Sequence, residues 1–316
     1  MTTKFTKLYL TDITTSEGKL SRLSLICEII ARTKFHDRSK LFKAIAEEAG
    51  ITNSKVISRH LHILKTIGLI NDVHETYLVT SRGKALVKLR SQKVKIINKA
   101  EKIVFFKSFF TSIPEQLYWV IYVVGKNEKA TLEKNAHEYF YFSPARNIWM
   151  RTIKRAIRRG NNKDKTLTRG MRNKFETMLY WLSQLDILRK GNRVWLTKNG
   201  LKLLDVFPRN VREIPSSVYH MAALLYDGQN IQIFDLTRHK NDLVDVLREG
   251  NRLFRGEQNL SDIIAVQEFV AAILATNGIV LEERRFYETI QELSFDGTIK
   301  SVILGRDGKP AFLVMK

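Results

Sequence analysis

The chain of 316 residues carries 53 Lys and Arg against 32 Asp and Glu, a formal net charge of +21 with a pI near 10. At 44% hydrophobic and 27% charged residues it is globular rather than disordered, and long enough for two or three domains. One cysteine excludes a disulfide framework and cysteine zinc sites within one chain.

The opening MTTKFTK leads to no apolar signal core, and no apolar run approaches the ~18 residues of a membrane span, so a soluble, cytoplasmic and nucleoid-associated protein is expected. The charge is regional. Residues 1–216 hold 42 Lys and Arg against 18 Asp and Glu, a balance of +24, whereas residues 217–316 hold 11 against 14, a balance of −3. Nucleic acid is the commonest partner for such asymmetry, with an anionic membrane surface second.

In chain order, residues 1–19 are polar apart from a short strand pattern at Lys7-Leu8-Tyr9-Leu10. Leu20–Arg32 and Ser39–Ala49 have apolar residues at helical spacing, with Cys27 in the first helix's core-facing run LICEII. Gly50 turns the chain into Ile51–Gly83, where Val56, Ile57, Leu61, Leu64 and Ile67 mark a buried helical face. The other face offers Asn53, Ser54, Lys55, Ser58, Arg59 and His62 as DNA-binding candidates. Arg59 suits guanine, and Asn53 could cap the helix instead. Leu69-Ile70 and Tyr77-Leu78-Val79 then form a two-stranded wing whose tip, Asp72-Val73-His74-Glu75-Thr76, is too acidic for the minor groove. Helix, helix, turn, helix, wing is the winged-helix order.

Residues 84–110 are expected to form a long connector helix. From Arg82 to Lys107 there are nine Lys and Arg and one acid, Glu101. Such a helix could be a solvated spacer, or a domain-linking or homodimer seam near phosphates.

The pattern then repeats. Ser58–Ile70 can be laid on Glu176–Leu188, pairing Leu61, Leu64 and Ile67 with Leu179, Leu182 and Leu185, and Val79-Thr80-x-x-Gly83 returns as Leu196-Thr197-x-x-Gly200. The domains expected are therefore residues 1–110, with the connector, and 111–205. In the second, Arg172, Asn173, Lys174, Thr177 and Tyr180 would face DNA from the third helix, and Arg189, Lys190 and Arg193 from the wing. Between Arg146 and Lys174 lie eleven Lys and Arg and one acid, so Arg146, Arg151, Lys154, Arg155, Arg158, Arg159 and Arg169 join them as phosphate contacts.

Residues 206–216, VFPRNVREIPS, read as a linker. Residues 217–316 place Ile290, Leu293, Gly297 and Ile299 where the first copy has Leu61, Leu64, Gly68 and Ile70, followed by the hairpin SVILGRDGKPAFLVM. Ser261–Ala275 would be the first helix, leaving NGIVLEERR too short for a second, so this copy is expected to be degenerate. Glu282, Glu283 and Glu288 stand at the positions of Asn53, Ser54 and Arg59, which suits a protein partner rather than phosphate. Removing residues 217–316 is expected to leave DNA affinity within a few fold. The fold class is thus mainly α with small β-wings: tandem winged-helix domains and a divergent third.

His60-Leu61-His62 matches a nuclease metal motif, but here falls mid-helix with no third ligand near. No Walker loop, HExxH, paired cysteines or GxSxG occurs. A binding protein with no metal or cofactor is expected, not an enzyme.

The stretch AEEAGITNSKVISRHLHILKTIGLINDVHETYLVTSRG resembles the winged-helix regulators of bacteria and archaea. In domain order the whole chain resembles the archaeal winged-helix initiator proteins, the WhiP family. Those are related by architecture to the eukaryotic licensing factor that helps load the replicative helicase. The resemblance implies double-stranded DNA at a replication origin, with the acidic third copy available to replication proteins. A transcriptional regulator and an architectural or plasmid-partition protein stay open beside it.

Overall fold

The computed structural model describes residues 19–32, 37–73, 76–90, 97–127, 130–142, 175–207, 218, 220–223, 225, 231–255, 261–304 and 310–315. They form a mainly helical protein with small sheets, and no described helix is long and apolar enough to cross a membrane. The expected strand at Lys7–Leu10 lies outside the described residues, as does the basic helix expected at about 145–159. The chain divides into two compact units that cut across the linear order. One comprises Met1–Ile26, Phe42–Ile67 and Ser108–Pro215; the other Cys27–Leu41, Gly68–Lys107 and Ser216–Lys316.

The first module runs α1 (Leu20–Arg32), α2 (Arg38–Ala49), α3 (Ser54–Thr66), β1 (Ile70–Val73) and β2 (Thr76–Val79), the last two antiparallel. α3 forms where the apolar spacing predicts it, with Ile57, Leu61 and Leu64 buried. Cys27 is fully buried with Sγ 3.8 Å from the Gly83 carbonyl, and burial pushes its thiol up to about 12.

The connector is two helices rather than one. α4 (Ser81–Leu89) ends at Arg90 in extended backbone, and α5 (Lys99–Ser112) starts afresh on a reciprocal cap. There Asn98 Oδ1 accepts from the Glu101 N–H and the Glu101 carboxylate accepts from the Asn98 N–H, both at 2.9 Å. The single acid of the basic run is thus a capping residue. α5 buries Ile103 to Phe110 without a break, Lys107 included, so that stretch has no solvated face, while Lys99 at its start is exposed.

Within the first unit, α6 (Pro114–Lys126), α7 (Leu132–Phe142), a helix α8 over residues 175–184, β3 (Leu188–Lys190), β4 (Val194–Leu196) and α9 (Lys198–Val206) repeat that order. Thr131 forms an antiparallel bridge with Arg193, adding a vestigial third strand beside β4. Trp181 of α8 stacks on Phe109, ring centroids 4.8 Å apart, while Tyr139 packs on Phe175 and its hydroxyl lies 3.8 Å from Met178 Sδ. α9 includes Val206, and Phe207 packs on Phe110 and Tyr118. The first two residues of the expected linker therefore belong to this module.

The two modules agree at the level of single atoms. Thr80 and Thr197 cap α4 and α9, accepting from the Gly83 and Gly200 N–H groups at 3.1 Å. Their hydroxyls donate back to the chain leaving the third helix: Thr80 to the Gly68 and Leu69 carbonyls (2.8 and 3.1 Å), Thr197 to those of Asp186 and Ile187 (2.7 and 2.9 Å). Gly68 (φ 74°) and Asp186 (φ 60°) make the same left-handed exit. A Cβ on Gly83 would collide with the Leu69 carbonyl oxygen, and one on Gly200 with that of Ile187. T-x-x-G is therefore a clasp between wing and following helix, not part of the wing's strand.

In the second unit, β5 (Gln232–Ile233) precedes α10 (Leu236–Phe254), β6 (Ser261–Asp262), α11 (Ile263–Thr276), β7 (Ile279–Val280), α12 (Glu283–Phe295), β8 (Ile299–Leu304) and β9 (Pro310–Met315). β6, β9 and β8 form a sheet in that order, and β5 pairs with β7 in parallel. Helix, strand, helix, helix and hairpin are all present among the described residues. A further helix, α10, precedes α11, the run expected to be the first helix of this copy. α11 is apolar on nearly every side, since α4 and α10 both pack on it. α3 and α12 are each 13 residues long, and Gly68 and Gly297 both have φ of 74°.

α4 is tied to α11 by charge. Asp262 caps α11 through the Ala265 N–H and also accepts from Ser81 (3.0 Å) and Lys84 (2.8 Å). Glu268, buried, lies 2.9 Å from Lys107 Nζ and 3.2 Å from Arg82 Nε, while Arg90 pairs with Glu28. Burial pulls the Lys107 ammonium below its usual range, against the opposing effect of Glu268. Deleting residues 217–316, expected to change DNA affinity by no more than a few fold, would also take away the helix on which α4 packs.

Two outcomes follow. Gly83→Ala and Gly200→Ala should each lower unfolding stability by about 1–3 kcal/mol through overpacking. Gly191→Ala, whose Cβ would approach nothing closer than 3.9 Å, should stay within about 0.5 kcal/mol in the same urea titration. Glu268→Gln should destabilise by about 3–5 kcal/mol by leaving buried cations uncompensated, with partial recovery on adding Lys107→Met; additive losses would mean that the pair is not coupled.

Candidate nucleic-acid interface

Two sets of candidate residues fall on described surface. On α3, Ser54, Lys55, Ser58, Arg59 and His62 lie on one helical face; Ser54 and Lys55 are exposed and the other three half-buried. Asn53, just before them, is exposed but engaged as the N-cap, its Oδ1 accepting from the Lys55 N–H at 2.9 Å. The capping alternative is the one observed. His60 is buried, its Nδ1 2.8 Å from the Val56 carbonyl, and so is part of the core. Among the described residues no cluster of three or more His, Cys, Asp or Glu could hold a metal.

The second set is the β3–β4 hairpin. Arg189 and Arg193 are exposed and Lys190 half-buried, with the tip closed by the Gly191 N–H donating to the Arg193 carbonyl at 2.9 Å. Residues 187–204 add Lys198 and Lys202 and contain no carboxylate. Beside the hairpin lies an open concavity of about 550 Å³, with Arg189, Lys190 and Lys198 on its rim and Ser183, Asp186 and Asn199 along it. Five cations on one hairpin and the helix after it give a local field suited to phosphate.

On α8 the outcome is mixed. Tyr180 is half-buried, and burial raises its phenol above the usual value while Arg22 opposes the shift. Thr177 is 7% exposed and drops out as a contact, because its short side chain is covered at the position where the first module carries Arg59. Arg146, Arg151, Lys154, Arg155, Arg158, Arg159, Arg169, Arg172, Asn173 and Lys174 lie outside the described residues.

In the third copy, one of the three carboxylates expected on the surface is paired. Glu288 is paired with Arg284 (2.9 Å) and Arg285 (3.4 Å), and Arg285 also reaches Glu292 (2.9 Å). These pairs span three, four and seven residues of α12, so Glu288 and Glu292 lie in a mixed-charge face, while Glu282 and Glu283 are exposed at the helix start. Sequence reasoning also passed over Trp195, exposed on β4, although its place between two apolar residues on a basic hairpin was visible.

No protein-family model matches the chain, and no curated protein does either.

Arg59→Ala should lower affinity for a preferred duplex more than for a random one, by about 1–3 kcal/mol of discrimination. Asn53→Ala should instead cost about 1 kcal/mol of stability. Binding titrations on the two duplexes and a thermal melt separate them. Equal losses of Arg59→Ala on both duplexes would remove base reading from that position.

Proposed function

We propose that the chain is a double-stranded DNA-binding protein that grips the duplex through two winged helices. The first module presents a reading face, Ser54 to His62 on α3, and the second a cationic wing. The observation that carries this reading is the acid-free hairpin with exposed Arg189 and Arg193, set on a module that repeats the first down to its threonine clasp. The balance of +24 over residues 1–216 supports it. Phosphate contacts by the wing supply affinity and register, and polar side chains on α3 supply sequence preference.

For the process, the tandem arrangement resembles the archaeal winged-helix initiator proteins, and we take origin binding in replication initiation as the leading role. Genome-wide occupancy at one tight cluster of sites would agree with that role. Many dispersed promoter sites would indicate a transcriptional regulator, and flat occupancy an architectural protein.

Reversing the wing cations with Arg189→Glu and Arg193→Glu should weaken binding to every duplex. The slope of log affinity against log salt should fall by about two, the number of phosphate contacts removed. An unchanged slope would take the wing out of the interface.

A further inference from the structure

Trp195 is 39% exposed on β4, although its neighbours Val194 and Leu196 are buried. In the hairpin register it stands opposite Arg189, and strand alternation brings Arg193, two residues earlier, to the same face. The ribbon thus presents one indole between two exposed guanidinium groups. The equivalent positions of the first wing hold Leu78 opposite Asn71, with Thr76 two residues before Leu78, so neither cation nor indole is present there and the arrangement belongs to the second module alone.

An intact duplex offers a tryptophan little, because base faces are stacked and the backbone is anionic. An unpaired base offers an open π-face, and the nucleotides flanking it offer phosphates to the arginines. A protein partner would have to be strongly acidic to sit on a hairpin that carries three cations and no carboxylate, with two more cations on the helix after it.

From this juxtaposition we infer that the second wing stacks Trp195 on an unpaired base, so the preferred partner is DNA with locally separated strands. The inference rests on the DNA-binding reading and extends it from duplex to opened duplex. Arg189 and Arg193 hold the phosphates on either side while the indole covers the exposed base. The wing thereby favours melted over paired DNA without choosing a sequence, since every base has a π-face.

The test uses the full chain, unsubstituted and as W195A and W195F, titrated by fluorescence anisotropy. The probes are a blunt duplex, one of its single strands, and the same duplex with a central mismatched bubble. The unsubstituted chain should bind the bubble more tightly than the blunt duplex. W195A should lose about tenfold on bubble and single strand but less than about twofold on duplex, and W195F should keep most of the difference. Retained duplex binding also reports that the variant is folded. Equal loss by W195A on all three probes, or no loss on any, would overturn the stacking role while leaving DNA binding in place. If the unsubstituted chain binds none of the probes, the DNA-binding reading itself fails.

Discussion

The structure depends on one repeated contact, the threonine that follows each wing. Thr80 and Thr197 accept the N–H of a glycine three residues on and donate to the carbonyls that leave the third helix. One side chain thus fixes the start of one helix, the exit of another and the closed end of the hairpin. Glycine is required because a carbonyl oxygen occupies the space a Cβ would need. Each clasp combines a helix cap with a shared hydrogen bond, worth about 1–2 kcal/mol together. Its larger effect is geometric, setting the wing's angle and with it the direction of Arg189 and Trp195.

Charge works differently in the two units. In the second, Arg82, Lys84, Arg90 and Lys107, which look like a nucleic-acid-binding run, are matched by Glu268, Asp262 and Glu28. Ion pairs this buried add little net stability relative to an apolar contact, but they penalise any arrangement that separates the partners. Asp262 and Glu268 therefore help hold α4 on α11, and Glu288 and Glu292 of α12 are met by Arg284 and Arg285.

Much of the fold was legible because it follows periodicity. The 3.6-residue spacing located α1, α2 and α3, and the repeat placed β3 and β4 within a residue or two. Three features were hidden for physical reasons. α11 is apolar all round, so it has no stripe to mark which helix of its module it is. The connector reads as one helix because the break at Arg90 carries no proline or glycine. The basic run from Arg82 reads as a DNA-facing surface because its acids are up to 186 residues away in sequence. At the candidate interface, the hairpin cations were readable from composition, whereas the exposure of Trp195 and the burial of Thr177 depend on tertiary packing.

The central claim is that both repeated modules engage one DNA. Hydrogen exchange of the full chain with and without a bound duplex tests it most directly. The account predicts slowed exchange at the start of α3, around Ser54–Arg59, and at the β3–β4 hairpin, with residues 263–295 unchanged. Protection confined to one module, or appearing mainly in residues 263–295, would contradict it.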